Sequence, residues 1–327
     1  MSPTVSIIIP CYNEEKSIRI LLDAIFAQTY SISAMEVIIA DGISEDNTQA
    51  EIAAFQDLHP DLDLRVIENP ACIIPAALNI AVEAARGEII VRLDAHSAPA
   101  PDYVERCVDA LNAGLGDNVG GVWDIRPGTK GWVAASIAAA AAHPLGVGDA
   151  LYRHATQAQI VDTVPFGAFR RELIEKIGLF DESLLANEDY EFNARIRESD
   201  GKIWLDPAIR SVYFARPTYS RLAKQYFNYG YWKWKMLRRY PETLRWRQAL
   251  PPAFFLSIIF FLLLGFFSPL FVFLLILELL LYFFILFLAA LKNKMLGLPI
   301  AIATMHISWG GGLLWSALTS VFKVKNG

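Results

Sequence analysis

From Leu250 to Phe322 the chain is nearly continuous apolar text, whereas residues 1–248 read like a globular protein. No other feature limits the fold as much. A long apolar run in lipid must satisfy its own backbone hydrogen bonds, so it forms helices or a closed barrel. Three segments divide the run: 250–267, 270–291 and 299–322. The first spans about 27 Å as a helix at ~1.5 Å per residue, just short of the ~30 Å hydrocarbon core. The second is long enough to cross outright. The third is long enough but softer, with Thr304, His306, Ser308 and Gly310–Gly312; a full span and a re-entrant or interfacial segment both fit it. Glu278, inside the second, is costly in lipid and calls for a partner, for which His306 is one candidate.

Hydrophobic residues make up 54% of the 327, too many for a soluble domain and concentrated in that tail. Just ahead of it, Arg210–Arg247 carries ten basic residues against one acid, Glu242, while residues 1–209 carry 15 basic and 32 acidic. A basic, aromatic-rich approach to an apolar region fits a segment lying on an anionic cytoplasmic leaflet, with a solvated basic helix as the plainer alternative. So acidic a main body argues against nucleic acid as a partner. A hairpin of the first two segments sets Lys292 and Lys294 on the side of Arg238–Arg247, as the positive-inside rule asks; Lys323 and Lys325, after a third span, would face outward. Val5–Ile9 has no basic region before it, unlike a secretory leader. Cys11, Cys72 and Cys107 lie far apart, which fits a reducing compartment and argues against a disulfide framework or a zinc site. The expectation is a multi-pass cytoplasmic-membrane protein whose first domain faces the cytoplasm.

Within that first domain, Val5–Ile9, Glu36–Ala40, Leu64–Ile67 and Glu88–Leu93 read as short buried strands. Between them, Ser17–Phe26 (apolar at Ile18, Leu21, Leu22 and Ile25) and Pro75–Ala85 have helical periodicity. Strands alternating with helices predict an α/β, Rossmann-like domain: a mostly parallel sheet with helices on both faces. Such sheets bind ligands beyond the carboxyl ends of their strands. Three polar clusters fall there: Pro10-Cys11-Tyr12-Asn13-Glu14, Asp41-Gly42-Ile43-Ser44-Glu45-Asp46-Asn47-Thr48 and Asp94-Ala95-His96. Further on, Val119–Ile125 reads as a strand and Trp132–Ala142 as a small-residue helix. Another helix runs over Arg170–Ile177 and stops at Gly178. Asn187 is expected to cap a helix to about Ser199, with Tyr190, Phe192, Ala194 and Ile196 on its buried face. The predicted division is 1–219, a basic and aromatic interfacial helix region 220–249, a helical membrane domain 250–322, and a tail 323–327.

Asp94 and His96, two apart at the end of a buried strand, point to one side. A carboxylate and an imidazole there can hold a divalent cation against a diphosphate. A plain turn, with Asp94 capping Ala95–Ser97, is equally open. Asp41 is a helix cap or a base-binding carboxylate, and Tyr12-Asn13-Glu14 starts a helix or lines the crevice. Glu188 and Asp189 fall in a first helical turn, where the dipole favours the ionised, proton-accepting form; acids are common there in any case. Tyr226–Tyr240 gathers Trp232, Trp234, Tyr226, Tyr229 and Tyr231 with four basic residues, a composition suited to a membrane interface. Packing of that helix on the first domain is the alternative.

The three clusters, with Ala85-Arg86-Gly87-Glu88-Ile89-Ile90, closely resemble the opening of the family 2 glycosyltransferases. So do Phe166-Gly167-Ala168-Phe169-Arg170-Arg171 and Asn187-Glu188-Asp189-Tyr190-Glu191-Phe192. The resemblance covers about residues 3–207, in the right order. Gln225-Tyr226-Phe227-Asn228-Tyr229-Gly230 and the apolar tail are similar to the ExoA-type branch that builds succinoglycan and related exopolysaccharides. The resemblance implies a GT-A fold, an inverting displacement at the sugar's anomeric carbon, a nucleotide-sugar donor (a UDP-sugar) and a divalent cation, Mn²⁺ or Mg²⁺. Carried over by position, Pro10, Tyr12, Asn13, Glu14 and Asp41 would cradle the base and ribose. Asp94-Ala95-His96 would meet the diphosphate, with Asp94 and His96 at the metal. Here the sequence departs from the family's Asp-x-Asp, because His96 stands where the last aspartate is usual; Mg²⁺ favours oxygen more strongly than imidazole. Asp189 would be the general base that takes a proton from an acceptor hydroxyl, with Glu188 in support. Phe166, Gly167, Gln225, Trp232 and Trp234 are assigned to the acceptor, under an interfacial helix that roofs its site.

Four functions compete. The leading one builds a saccharide on a lipid carrier, with a nucleotide sugar, a lipid-linked saccharide and membrane lipids as partners. Transfer to a polyprenyl phosphate needs no base, so Glu188-Asp189 favours the first. A catalytically inactive, nucleotide-sugar-binding membrane scaffold has no need of intact acidic motifs. A dinucleotide-dependent dehydrogenase fails because Pro10-Cys11-Tyr12-Asn13 stands where Gly-x-Gly-x-x-Gly should follow the first strand.

Overall fold

Alternation along Val5–Cys11 (β1) shows how the N-terminal sheet is layered. Val5, Ile7, Ile9 and Cys11 pack with Leu21, Leu22, Phe55 and Tyr103 on one face. Ile8 points the other way, to Leu78, Leu173 and Phe192. With helices on both faces the strand has no solvent-facing side, so it reads as an apolar run broken by buried Ser6.

The computed structural model describes residues 3–324; the remainder of the expected tail, with Lys325, lies outside the described residues. After β1 come α1 (Ile18–Phe26), β2 (Met35–Asp41), α2 (Thr48–Leu58), β3 (Asp63–Glu68), α3 (Ile74–Ala84), β4 (Ile89–Arg92), β5 (Ser97–Pro99) and α4 (Tyr103–Asn112). There follow β6 (Asn118–Pro127), α5 (Trp132–Ala142), α6 (Pro144–Val147), β7 (Gln159–Ile160), β8 (Ala168–Arg170), α7 (Glu172–Ile177), α8 (Glu188–Glu198) and β9 (Ile203–Ala215). The chain closes with α9 (Tyr219–Leu237), α10 (Trp246–Gly265), α11 (Pro269–Asn293) and α12 (Leu298–Val324). Two units result. One takes residues up to Asp124 and Leu151–Tyr213; the other takes Ile125–Ala150 and the chain from Phe214 onward. The division is thus discontinuous in sequence, with α5 and α6 grouped with the C-terminal helices.

In the first unit the sheet order is β3-β2-β1-β4-β8-β6-β9-β5, with β7 paired to β9. The first four strands are parallel, with Ile7 beside Val37 and Val91, and β4 meets β8 antiparallel. Parallel pairing sends the ends of β1, β2 and β4 to one edge, so their following loops share it. At the opposite end, fully buried Glu36 accepts hydrogen bonds from Ser6 Oγ (2.6 Å), Arg86 N–H (2.6 Å) and Arg86 Nε (2.9 Å). Arg65 Nη2 lies 2.6 Å from Oε2, the oxygen that Arg86 Nε also uses. Burial would raise the Glu36 carboxyl, but the hydrogen bonds from Ser6, Arg86 and Arg65 win and hold it at about 2. Arg86 and Gly87 therefore tie down the base of the sheet, far along the strands from the ligand edge.

The second unit is built around α12. The third apolar segment packs along one side within the unit, burying Leu298, Ala301, Ile302, Met305 and Leu313, while Ile300, Ile307, Trp315 and Leu318 stay exposed. A Cβ on Gly230 of α9 would come within 2.0 Å of the Trp309 carbonyl oxygen, and one on Gly312 within 2.1 Å of that of Phe227. Glycine at both places lets the two helices meet backbone to backbone. The expected interfacial helix is accordingly packed on α12, burying Leu222, Tyr226, Lys233 and Met236. Lys233, one of the expected interfacial cations, is 3% exposed and donates to the Thr243 carbonyl (3.1 Å). Two helices, Trp246–Gly265 and Pro269–Lys292, are long and apolar enough to cross a membrane, and their side chains are mostly exposed. Glu278 receives a hydrogen bond from Ser257 on α10 (2.5 Å) rather than from His306. His306 instead meets the Tyr282 hydroxyl (2.9 Å) and the Leu145 carbonyl (2.8 Å). Ser257 reaches it because α10 and α11 form a hairpin that brings the two level, while Glu278 Oε2 meets no partner among the described residues.

Candidate active site

The loops after β1 and β2 are laced together. Asn13 takes a left-handed backbone (φ 54°), and its side-chain oxygen accepts the Glu45 N–H (2.8 Å) while its own N–H donates to Ser44 Oγ (2.8 Å). Glu14 N–H donates to Thr48 Oγ1 (2.7 Å). Asp41, fully buried, accepts from Ser44 Oγ (2.6 Å) and Gln49 Nε2 (2.7 Å). Its carboxylate shapes the loop, in the manner of an aspartate that nucleates a turn. Pro10, at the last turn of β1, is half-buried, while Tyr12 is 50% exposed beside Gly42. An aromatic face left open on a rigid loop is suited to stacking on a base.

The turn after β4 carries Asp94, buried Ala95 and His96. The Asp94 carbonyl takes the Ser97 N–H and hydroxyl, and its carboxylate goes to Arg92 (3.2 Å). The capping alternative therefore fails for the Asp94 side chain. His96 Nδ1 lies 3.1 Å from Glu14 Oε1, so the first and third clusters touch. Glu14, expected at the base and ribose, is engaged with His96 and with Ser17. Among the described residues no three of His, Cys, Asp and Glu gather into a cation site. Asp94 and His96 offer a carboxylate and an imidazole, donor types that Mn²⁺ accepts.

Helix α8 starts where expected, but Asn187 is left-handed (φ 65°) and its side chain makes no cap bond. The buried face includes Glu188, Glu191 and Asn193 beside Phe192, Ala194 and Ile196, while Tyr190 is only partly buried and donates to Asp162 (2.7 Å). Polar burial is possible because partners were supplied: Glu191 with Arg195 (2.6 Å), Asn193 with Thr163 and Asn118, Glu188 with Arg92 (2.8 Å). Asp189 is partly buried and accepts the Tyr190 N–H (2.7 Å). Burial, then the charge of Glu188, pushes its carboxyl up to about 6, against the pull of Arg92 and the Tyr190 N–H. Desolvation thus raises the carboxyl, yet a value of about 6 still leaves it mostly ionised at neutral pH.

Phe166 (φ 64°) is 6% exposed and packs on Trp123, and Gly167 (φ 70°) accepts the Arg92 N–H through its carbonyl (3.0 Å). A Cβ on Gly167 would stand 2.4 Å from Asn118 Oδ1. Both residues form the floor of the strand end. Gln225, Trp232 and Trp234 belong to the helical unit: Gln225 donates to Tyr229 (3.0 Å), and Lys235 Nζ lies 3.9 Å from the Trp232 ring centre. Sequence reasoning passed over Arg92, although a lone cation closing the buried run Ile89-Ile90-Val91 was itself a signal. It also passed over the stack of Trp123 on Tyr213 (4.3 Å), with the Arg153 guanidinium 5.0 Å from Trp123 and His96 6.3 Å from Tyr213.

The first unit is thus a Rossmann-like mixed sheet with acids and an imidazole at the carboxyl ends of its parallel strands. The chain belongs to Glycosyl transferase family 2, whose family model matches residues 6–178. It is 32% identical over 252 residues to the succinoglycan biosynthesis protein ExoA of Rhizobium meliloti, covering 76% of this chain and 74% of that one. It is 28% identical to a dolichyl N-acetyl-alpha-D-glucosaminyl phosphate 3-beta-D-2,3-diacetamido-2,3-dideoxy-beta-D-glucuronosyltransferase of Methanococcus voltae, covering 74% and 76% of the two chains. Among solved structures, the mannosyltransferase PcManGT of Pyrobaculum calidifontis, in complex with GDP-Man and Mn²⁺, superposes with TM-score 0.57 at 25% identity. That match covers 73% of this chain and 65% of the other, so this chain spans just under two thirds of its length. The fold is GT-A and the protein is a glycosyltransferase.

Proposed function

We propose that the protein transfers a hexose, with inversion, from a nucleoside-diphosphate sugar to a hydroxyl of a lipid-linked saccharide at the cytoplasmic face of a membrane, in exopolysaccharide or glycan synthesis. One observation carries the reading: Asp189, in the first turn of α8, is a carboxylate poised at about 6 and tied through Glu188 and Arg92 to Asp94. A base near neutrality is matched to removing a proton from a sugar hydroxyl. The relatives' names, a succinoglycan protein and a transferase acting on a dolichyl phosphate-linked sugar, support a lipid-linked acceptor. The two exposed apolar helices support the membrane setting.

In this mechanism Tyr12 stacks on the base, and the laced loops of Asn13 and Asp41 shape the nucleoside pocket. Asp94 and His96 would hold a divalent cation, which when bound neutralises charge on the departing nucleotide. Asp189 takes the proton from the acceptor hydroxyl, and the oxygen attacks the anomeric carbon from the face opposite the diphosphate. The bond to the diphosphate oxygen breaks with its electron pair, and the nucleoside diphosphate leaves. An α-linked donor then gives a β-linkage. The acid at Asp189 disfavours transfer to a polyprenyl phosphate, whose oxygen is already anionic.

The test is nucleotide release from purified protein across UDP-, GDP- and TDP-sugars, with and without Mn²⁺ and with lipid-linked acceptors. GDP-mannose belongs in the panel because PcManGT was solved with GDP-Man. Acceptor-dependent release with an inverted product supports the reading. A product that keeps the donor's anomeric configuration, or release only with polyprenyl phosphate, overturns it.

A further inference from the structure

Arg92 closes β4 at 4% exposure, where three apolar residues precede it. One nitrogen, Nη2, serves two acids from different parts of the chain: Glu188 Oε1 at 2.8 Å and Asp94 Oδ1 at 3.2 Å. Asp94 belongs to the turn after β4, and Glu188 is the residue before Asp189 at the start of α8. The backbone N–H of Arg92 is also fixed, to the Gly167 carbonyl (3.0 Å). Its Nε and Nη1 are buried and meet no acceptor among the described residues.

That arrangement is a poor device for stability alone. Burying a guanidinium costs desolvation, and unmatched buried donors add to the cost; a neutral, well-packed pair of similar volume often does as well or better. What the cation does supply is a fixed link between two loops that no backbone ladder joins. We propose that Arg92 is a positioning residue that sets the spacing between the donor-side turn at Asp94 and the proton acceptor at Asp189. The inference rests on Asp189 being the base. A displacement of about 1 Å between reacting groups is enough to cost ~10²-fold in rate.

The experiment compares Arg92→Met/Glu188→Gln, Glu188→Gln alone, Arg92→Lys and Asp189→Asn for kcat, donor KM, nucleotide Kd and thermal melting. The double variant removes the two most buried charges together and leaves Asp94, whose side chain is 24% exposed, without its cation. It is expected to melt near the wild-type temperature and to bind nucleotide within about tenfold of wild type, with kcat down ~100-fold. Glu188→Gln alone keeps an acceptor for Arg92 and is expected to lose less than tenfold. Arg92→Lys can reach one carboxylate at a time and should recover part of the rate. It also carries the test should the double variant fail to fold: a lysine variant as fast as wild type would overturn the proposal. So would a double variant within fivefold of wild type, a fall in nucleotide affinity equal to the fall in kcat, or a Glu188→Gln loss as large as that of the double variant. An active Asp189→Asn variant would instead overturn the base assignment, which separates the two failures.

Discussion

Replacing Asp189 with asparagine removes the proton acceptor while keeping a side-chain oxygen for the Tyr190 N–H. General-base catalysis contributes about 10²–10⁴-fold, so kcat should fall by that factor, about 3–5 kcal/mol of transition-state stabilisation. Donor KM should stay within about threefold, because the carboxylate acts on the acceptor. The native enzyme should also show an acid limb. With the carboxyl at about 6, pushed there first by burial and then by Glu188, about nine-tenths of the sites are ionised at pH 7 and about one-tenth at pH 5. The rate should therefore fall about tenfold across that interval. Glu188→Gln removes one of the charges raising the pKa, so its limb should move to lower pH. Stability runs the other way: the native state holds this proton more tightly than the unfolded chain, so its contribution is lost as pH rises from the unfolded carboxylate value of 3.8 through about 6. The assay is nucleotide release at saturating donor and lipid-linked acceptor, from pH 5 to pH 8. A flat profile, or an asparagine variant within tenfold of wild type, would refute the assignment.

Three further outcomes follow from the packing and the donor set. Gly312→Ala should disrupt the helical unit, because the new methyl would lie 2.1 Å from the Phe227 carbonyl oxygen; Gly311→Ala, whose nearest neighbours are Phe255 ring atoms at 3.6 Å, should be tolerated. Thermal melting in detergent should show a loss of about 1–3 kcal/mol or more for the first and little for the second. Glu36→Gln breaks a buried ion-pair network and should cost about 3 kcal/mol of stability, read by denaturant unfolding. Because that carboxyl is held at about 2 against an ordinary 4.5, its contribution is full above pH 4.5 and is lost as pH falls toward 2. His96→Asp should retain Mn²⁺ binding to the nucleotide complex and improve Mg²⁺ binding, measured by calorimetry, since Mg²⁺ prefers oxygen donors.

Much of this was legible in the chain. Apolar runs bounded by turn residues located β1 to β4 within two residues, because parallel strands buried on both faces carry a strong local signal. The helix Trp132–Ala142 was also predicted from its residues, and α8 began within one residue of its predicted start. The 13-residue β9 was not foreseen, since Asp206-Pro207 interrupts its first half and its pairing is with distant strands. The polar face of α8 was missed for a related reason. Glu188, Glu191 and Asn193 look like solvent residues until Arg92, Arg195 and Thr163 arrive from elsewhere in the fold.

Sequence by itself determined the alternating α/β order, the acidic and imidazole clusters at the strand ends, and the apolar hairpin, because each depends on residues near one another along the chain. Only the tertiary structure decided how those groups are used. It gave Glu14 to His96, Asp41 to its own loop and Glu278 to Ser257, set α9 against α12 through Gly230 and Gly312, and placed Arg92 under two acids separated by more than ninety residues. Partners of that kind are fixed by distance in space, and a buried charge shows its partner only once the fold has brought the two together.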